Sequence, residues 1–126
     1  MKRLYIAGPM SGLPDLNFPA FNAEAARLRA LGYDIVNPAE INVGTPHPGW
    51  AACMKLDIKQ LVDCDGVALL PDWFRSKGAS IEHRLAHDLG MPIYHAAAIV
   101  SSVLPTPVNM AGPTAPAART TDWAAA

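Results

Sequence analysis

Gly66-Val67-Ala68-Leu69-Leu70 is a nearly continuous apolar run that begins after Asp65 and stops at Pro71. Because it has no alternating polar positions, the run is typical of a central parallel strand that helices cover on both faces. It therefore predicts the buried middle of a parallel sheet, around which the other elements can be arranged.

Apolar segments on both sides of this run alternate between strand and helix patterns. Three further strands are predicted, at residues 4–7, 33–36 and 92–94. Helical spacing of apolar residues recurs between the strands. This alternation predicts the α/β class, with right-handed crossovers and a mostly parallel sheet of four to five strands.

Single residues mark the expected helix ends and faces. Asn17 is expected to cap the first helix, and Gly32 to end it. In the third helix, Ile81, Leu85 and Leu89 form the expected apolar stripe.

Three loops follow predicted strands, at residues 8–12, 37–49 and 71–77. In an open parallel sheet, ligands bind beyond the carboxyl ends of the strands. Because all three loops leave that edge, we expect the functional residues to lie there.

The composition is that of one globular domain with no affinity for polyanions. The chain has 126 residues, 51% of them hydrophobic, and a formal net charge of −1. It shows no basic patch for nucleic acid, and no apolar run approaches the ~20 residues that span a bilayer. We therefore expect neither a nucleic-acid nor a membrane partner.

The two cysteines and the first residues indicate a cytoplasmic protein. Cys53 and Cys64 have neither metal-ligand spacing nor a second pair, so both are expected to be buried thiols. The first residues lead directly into a strand, without the apolar segment of a secretion signal.

Proline and alanine dominate the C-terminal part of the chain. Residues 96–104 are expected to form a last apolar element, so that the domain spans residues 1–104. Residues 105–126 are then an extended tail, and a candidate to pack on a neighbouring subunit.

Glu82 ends the stretch Ser76-Lys77-Gly78-Ala79-Ser80-Ile81-Glu82, which places a carboxylate in the expected first turn of a helix. A surface glutamate would be favoured there by the helix dipole alone. The functional alternative is a nucleophile for a sugar anomeric carbon. A carboxylate stabilises the oxocarbenium-like transition state and captures it as an ester.

Asp57 lies beside the apolar stripe of the preceding helix and is a second candidate. It could be a half-exposed acid paired with a lysine, or it could handle the proton of a leaving group. Asp63, Asp65 and Asp72 compete for that role, and Asp63 and Asp65 are the weaker candidates because they lie at a helix end and a strand start.

Two glycine-containing loops could hold a phosphate with backbone N–H groups and hydroxyls. The first contributes Gly8, Pro9, Met10 and Ser11, and the second contributes Ser76 and Gly78. Neither has the spacing of a Walker or dinucleotide-binding motif, so the prediction depends on their combination.

His83 and His87 are spaced as metal ligands on one helix face, but no third ligand accompanies them. Solvated histidines are the simpler interpretation, and we expect no metal and no redox cofactor. The aromatic residues Trp50, Trp73 and Phe74 could line a pocket for a flat base or belong to the core.

Four segments together resemble the nucleoside 2-deoxyribosyltransferase-like superfamily, and within it the DUF4406 branch common in phages and prophages. They are residues 5–12, Asp57, residues 65–70 and residues 78–82, within a resemblance that covers residues 3–95. The resemblance implies a flavodoxin/Rossmann-like three-layer sandwich and a homo-oligomer. It also implies N-glycosidic bond cleavage through a covalent glutamyl-sugar intermediate.

The resemblance also implies roles for single residues. Glu82 matches the nucleophile, Asp57 matches the acid eight residues before the aspartate that begins the central strand, and Tyr5 matches the tyrosine that approaches the nucleophile. Asn109 is a candidate for the C-terminal polar residue that completes a neighbour's site. The chain departs from the family pattern at His83, close to where a glycine is usual.

Ser76 carries the expected substrate preference. At this position the transferases carry an aspartate that holds the free 5′-hydroxyl, whereas the similar 2′-deoxynucleoside 5′-phosphate N-hydrolases carry a serine that contacts the phosphate. An anion there would repel a phosphate and a hydroxyl would not. The resemblance thus favours a nucleoside monophosphate.

The sequence therefore predicts an enzyme that hydrolyses a (deoxy)nucleoside 5′-monophosphate or transfers its sugar to a second base. Three alternatives stay open: a catalytically silent nucleotide-binding or sensor module, an NAD-type N-glycoside hydrolase, and a structural α/β protein.

Overall fold

A computed structural model of the chain describes residues 2–41 and 49–110. Its sheet contains four parallel strands in the order β2-β1-β3-β4. The strands are β1 (Arg3–Ala7), β2 (Asp34–Val36), β3 (Gly66–Leu69) and β4 (Ile93–His95), and the α-helices are α1 (Phe18–Ala30), α2 (Pro38–Ile41), α3 (Trp50–Leu61) and α4 (Lys77–Asp88).

The apolar run at residues 66–70 does form a central strand. β3 lies between β1 and β4, every one of its residues is buried, and Tyr5 pairs with Val67 in parallel register. Both neighbours of β3 are parallel to it, so loops that leave β1 and β3 emerge at the same edge. This topology places the candidate site at that edge.

Helices cover both faces of the sheet, which gives three layers. On one face Leu4 and Ile6 pack with Phe21 and Leu28 of α1. On the other face the side chains of β1 and β3 pack with α3 and α4, in a cluster that includes Tyr5, Val67, Leu61 and Ala86. The predicted three-layer α/β fold is confirmed, with four strands among the described residues.

The start of α1 differs from the expectation. Asn17 precedes the helix, but its side chain donates to the Pro9 carbonyl at 2.9 Å instead of capping the helix. Asp15, Leu16 and Asn17 all have left-handed backbone angles, which are unfavourable for residues other than glycine. The side chain of Asn17 therefore ties this strained segment to the loop after β1.

The apolar stripe predicted for α4 is correct only at Leu85, which is partly buried against the core. The buried residues of this helix are Ala79, Glu82 and Ala86, whereas Ile81 is 38% exposed and Leu89 is 56% exposed. Small alanine side chains let the helix approach the sheet closely, so the largest apolar residues do not mark the buried face. Glu82 consequently points into the protein.

The loop expected after β2 contains a short helix. α2 begins at Pro38, and the Asn37 side-chain oxygen accepts a hydrogen bond from the Ala39 N–H at 3.1 Å. Residues 42–48 of the predicted loop lie outside the described residues.

The chain beyond the predicted domain boundary at residue 104 packs beside β4. Residues 96–98 form a 3-10 turn, and the chain then returns along β4, where the Val108 N–H donates to the Ile93 carbonyl at 2.7 Å. Residues 105–110 thus pack on their own chain, and the predicted tail beyond them, residues 111–126, is outside the described part. No helix in the described part is both long and apolar enough to cross a bilayer.

Candidate active site

A cavity of about 310 Å³ opens at the carboxyl edge of the sheet. It brings together eight of the ten residues that the sequence predicts for the site. These are Tyr5, Gly8, Met10, Ser11, Asp57, Ser76, Gly78 and Glu82. Pro9 lines a neighbouring cavity instead, and Asn109 lines neither.

The inner wall of the cavity contains a buried tyrosine–carboxyl pair. The Tyr5 hydroxyl donates a hydrogen bond of 2.5 Å to Oε2 of Glu82. Tyr5 is fully buried in β1, and Glu82 is 4% exposed on the face of α4 that meets the sheet. The pair therefore joins two elements that are distant in sequence, and it fixes the direction of the carboxyl group.

Burial controls the electrostatics of this pair. It raises the pKa of Glu82 to about 8, the Tyr5 hydrogen bond acts in the opposite direction, and the nearby charge of Asp57 raises the pKa further. The pKa of Tyr5 is raised well above its usual value, first by burial and then by the charges of Glu82 and Asp57. Tyr5 therefore stays a hydrogen-bond donor, while Glu82 titrates close to neutral pH.

The second acid reaches the cavity from α3. Asp57 is 6% exposed and shares the buried face of that helix with Met54 and Leu61. It is thus more deeply buried than its position beside the apolar stripe suggested. Of the three competing acids, Asp65 instead accepts the Arg3 N–H at 2.8 Å near the start of β1.

Glu82 lies in the second turn of α4, not in the first as predicted, because the helix already begins at Lys77. The Ser76 hydroxyl oxygen accepts the Ala79 N–H at 3.1 Å and so caps the helix. A serine hydroxyl that accepts one bond can still donate its proton. Ser76 can therefore cap α4 and bind an anion in the cavity simultaneously.

Two glycines are required by close packing around the cavity. A Cβ atom at Gly8 would lie 2.8 Å from the Leu70 side chain, and one at Gly78 would lie 3.0 Å from Sδ of Met54. Larger residues would displace β3 from the first loop or α3 from α4. The two loops predicted to bind phosphate thus pack closely against neighbouring side chains at Gly8 and Gly78.

The outer part of the cavity is apolar and was largely missed by the sequence analysis. Met10, Leu16, Phe18 and Phe21 line it from the first loop and α1. The helical spacing of the two phenylalanines indicated only core packing, and the left-handed segment at Leu16 has no sequence signal. Such a surface suits the flat face of a nucleobase.

Three aromatic side chains and two thiols test the earlier expectations. Trp50 lines the cavity, whereas Phe74 is 60% exposed and Trp73 stacks on His83 with 4.2 Å between ring centroids. Cys53 is half-buried and lines the cavity, so the prediction of two buried thiols holds only for Cys64.

A second cavity of about 250 Å³ lies against the first. The two share Ser11, Trp50, Ser76 and Gly78 as walls. The charged residues of the second cavity are Asp72, Arg75 and Lys77.

Residues 2–95 match the family model described as a domain of unknown function, DUF4406. The chain belongs to the DUF4406 family. A comparison with curated proteins finds no match.

Among solved structures, this DUF4406 chain is similar to the 2-deoxyribosyltransferase of Bacillus psychrosaccharolyticus, with a TM-score of 0.60 and 20% identity over 72% of this chain and 69% of that one. It is also similar to a conserved protein from Enterococcus faecalis V583, with a TM-score of 0.58 and 23% identity over 74% of this chain and 61% of that one. The resemblance drawn from the sequence is thus confirmed for family and fold.

The structure places Asn109 of the DUF4406 chain away from the cavity of its own protomer. Its side-chain oxygen accepts the Ile93 N–H at 2.9 Å, and its NH₂ group donates to the Met91 carbonyl at 2.9 Å. These contacts lie at the amino end of β4, whereas the cavity lies at the carboxyl edge. Asn109 therefore has a structural role in its own chain, and its part in a neighbouring subunit's site stays a prediction.

The histidine pair of the DUF4406 chain also differs from simple solvated residues. His83 packs on Trp73, and burial followed by the charge of His87 lowers its pKa. Within residues 2–41 and 49–110, no group of three metal-ligating side chains is present. The departure from the family pattern at His83 thus serves to hold the turn at Trp73–Arg75 against α4.

Proposed function

We propose that this DUF4406 protein cleaves the N-glycosidic bond of a (deoxy)nucleoside 5′-monophosphate, with Glu82 as nucleophile. One observation carries the proposal: the buried hydrogen bond between Tyr5 and Glu82 at the inner wall of a cavity that Asp57 and Ser76 also line. A surface glutamate that served only the helix dipole would need neither a buried partner nor a cavity.

In the proposed reaction, ionised Glu82 attacks C1′ of the sugar. The bond between C1′ and the base nitrogen breaks, the base leaves with the bonding electrons, and Asp57 donates the proton that it takes up. A glutamyl ester to C1′ remains. Asp57 then removes a proton from water, which hydrolyses the ester and restores both acids. Attack by a second base in place of water would make the protein a transferase.

Tyr5 has a positioning role in this scheme. Its hydroxyl donates to one oxygen of Glu82 and leaves the other free for attack. The same bond favours the ionised form of Glu82 and so opposes the effect of burial on its pKa. The bond thereby increases the fraction of Glu82 that is ionised near neutral pH.

The rim of the cavity supports a phosphorylated substrate. Ser11 and Ser76 supply hydroxyls to the cavity from the two loops. The apolar surface around Met10 and Phe18 would accept the base. In this proposal the two serines bind the phosphate and the apolar surface binds the base.

One observation favours a second candidate, a nucleotide-binding module without turnover. With a pKa of about 8, Glu82 is mostly protonated at pH 7, and a protonated carboxyl is no nucleophile. Binding of a nucleotide without release of base would support this alternative.

Product analysis tests the proposal. The protein is incubated with the four deoxynucleoside and four ribonucleoside monophosphates, the unphosphorylated nucleosides and NAD, and free base is measured by liquid chromatography. We expect base release from at least one monophosphate, and at least a ~1000-fold loss of rate in Glu82→Ala.

Glu40→Ala is the matched control. Glu40 forms an exposed salt bridge with Arg29 and does not line the cavity, so this variant should keep the wild-type rate. Full activity of Glu82→Ala would contradict the proposed mechanism. A 2-fluoro sugar trapped on Glu82 and identified by mass spectrometry would establish the ester.

A further inference from the structure

The second cavity differs from the first in its charge. It is lined by the side chains of Arg75 and Lys77, with Asp72 as the one acid among its described walls. Both cations are exposed, and neither forms a salt bridge with any residue of the described part of the chain. The cavity therefore presents a net positive charge that the protein itself does not neutralise.

An aromatic contact holds one of these cations in place. Nζ of Lys77 lies 4.4 Å from the ring centroid of Trp50, which is itself a wall of both cavities. A cation placed over an aromatic face keeps its charge available to an anion on its other side. Trp50 thus holds a flexible lysine at the boundary between the two cavities.

The second cavity continues from the expected position of the 5′-phosphate. Ser11, Ser76 and Gly78 belong to both cavities, so an anion between the two serines would face Glu82 on one side and the cations on the other. A single phosphate would be satisfied by the shared wall. Arg75 and Lys77 would then be available to bind a second anionic group that lies farther from the sugar.

We propose that the second cavity binds a second phosphate, so that the preferred ligand carries a 5′-pyrophosphate, as a nucleoside diphosphate or a pyrophosphate-linked dinucleotide. This inference builds on the proposed function, because it takes the shared wall as the position of the first phosphate. The inference goes beyond the proposed function because it extends the ligand past the 5′-phosphate. Asp72 weakens the site, since its charge opposes that of the two cations.

Calorimetric titration with inorganic phosphate and pyrophosphate tests the site without turnover. We expect wild-type protein to bind pyrophosphate at least ~10-fold more tightly than phosphate, and Arg75→Ala/Lys77→Ala to lose this preference. Asp72→Asn should strengthen pyrophosphate binding several-fold. Asparagine also tolerates the left-handed backbone of that position, where φ is 64°.

The matched control is Lys59→Ala/Arg84→Ala, which removes the same two residue types from exposed positions on α3 and α4 outside the second cavity. It should keep the wild-type preference for pyrophosphate. Equal binding of the two anions by wild-type protein would overturn the proposal, and so would a preference that survives in Arg75→Ala/Lys77→Ala. Thermal melting of each variant establishes that it is folded.

Titrations with nucleotides distinguish a nucleoside diphosphate from a dinucleotide as the source of the pyrophosphate group. Titrations with dAMP, dADP and NAD compare one phosphate, two phosphates and a dinucleotide, each in wild type and in Arg75→Ala/Lys77→Ala. Tighter binding of dADP or NAD than of dAMP supports the site if Arg75→Ala/Lys77→Ala loses this difference. The ligand that binds more tightly then identifies the source of the pyrophosphate group. These binding results do not depend on base release, so a failure of the proposed reaction and a failure of this site are separately visible.

Discussion

Tyr5 sets both the direction and the ionisation of Glu82. Its hydroxyl is buried at the inner wall of the cavity and donates its hydrogen bond to Glu82. A phenylalanine would leave the Glu82 carboxyl buried without this donor. The hydrogen bond from Tyr5 therefore affects the pH at which Glu82 ionises.

Tyr5→Phe should move the pH dependence of base release upward. The pKa of Glu82 is about 8 with the tyrosine bond, which acts to lower it, so removal of that bond raises the pKa further. We expect wild-type kcat/KM to rise between pH 6 and 8, and the variant to have a higher midpoint and a rate at least ~10-fold lower at pH 7.

Tyr33→Phe provides the comparison for this measurement. The Tyr33 hydroxyl donates to the Ser101 carbonyl at 2.6 Å, outside the cavity. This variant also loses one tyrosine hydrogen bond, but its pH profile should match that of wild type. A shift of equal size in both variants would show that the effect is structural.

Ser76→Asp should change the substrate preference without removing the helix cap, because an aspartate oxygen also accepts backbone N–H groups at a helix N-terminus. The new charge repels a 5′-phosphate. We expect KM for a nucleoside monophosphate to rise at least ~10-fold, with a much smaller effect on the unphosphorylated nucleoside. Ser80→Asp adds the same charge to α4 outside both nucleotide cavities and should leave this preference unchanged.

At the scale of the element, α4 buries small residues while Ile81 and, just after the helix, Leu89 are exposed. Ala79 and Ala86 bring the helix close enough to the sheet for Glu82 to reach Tyr5, whereas Leu89 extends into solvent. The helix is therefore positioned by residues that contribute little apolar area, which is why its stripe was misread from sequence.

Ala86→Leu should destabilise the fold by about 1–3 kcal/mol, because a larger side chain must separate α4 from the sheet. Leu89→Ala should change the free energy of unfolding by less than about 0.5 kcal/mol, since Leu89 is 56% exposed. Urea denaturation of both variants measures these values. A larger destabilisation by Leu89→Ala than by Ala86→Leu would indicate that Ile81, Leu85 and Leu89 form the buried face.

At the scale of the whole molecule, Glu82 makes stability depend on pH. Its folded pKa of about 8 lies above the ordinary value of 4.5, so between these pH values the folded state binds the proton more tightly than the unfolded state does. This contribution to stability is fully present below about pH 4.5 and is lost as the pH rises through about 8.

Glu82→Gln should remove this loss. Glutamine stays neutral and can still accept the Tyr5 hydrogen bond. Between pH 5 and 8 we expect the stability of wild type to fall relative to the variant by at most about 1.4 kcal/mol per pH unit. Urea denaturation at several pH values gives this difference, and parallel curves for the two proteins would show that Glu82 is ionised throughout.

The sequence predicted those features that depend on pattern and chain order. The apolar run at residues 66–70 located the central strand, and the loops after the strands located the cavity that holds Tyr5, Asp57 and Glu82. It could not predict the left-handed segment at Leu16, because nothing in the residue types demands that backbone.

Contacts between residues that are distant in sequence could not be predicted either. The role of Asn109 depends on how residues 105–110 return along β4, and the second cavity depends on the turn that precedes α4. Neither is encoded by local spacing. Sequence patterns thus located the chemistry but not the shape of the pocket around it.

The two acids and the residues around the proposed phosphate sites belong to different kinds of structure. Asp57 and Glu82 lie inside α3 and α4, whereas Ser11, Asp72 and Arg75 lie in the connections that follow β1 and β3. Substitutions in those connections can therefore alter the ligand while the reacting groups keep their spacing. Descendants of one ancestral fold could exchange substrates in this way without having to reinvent the reaction.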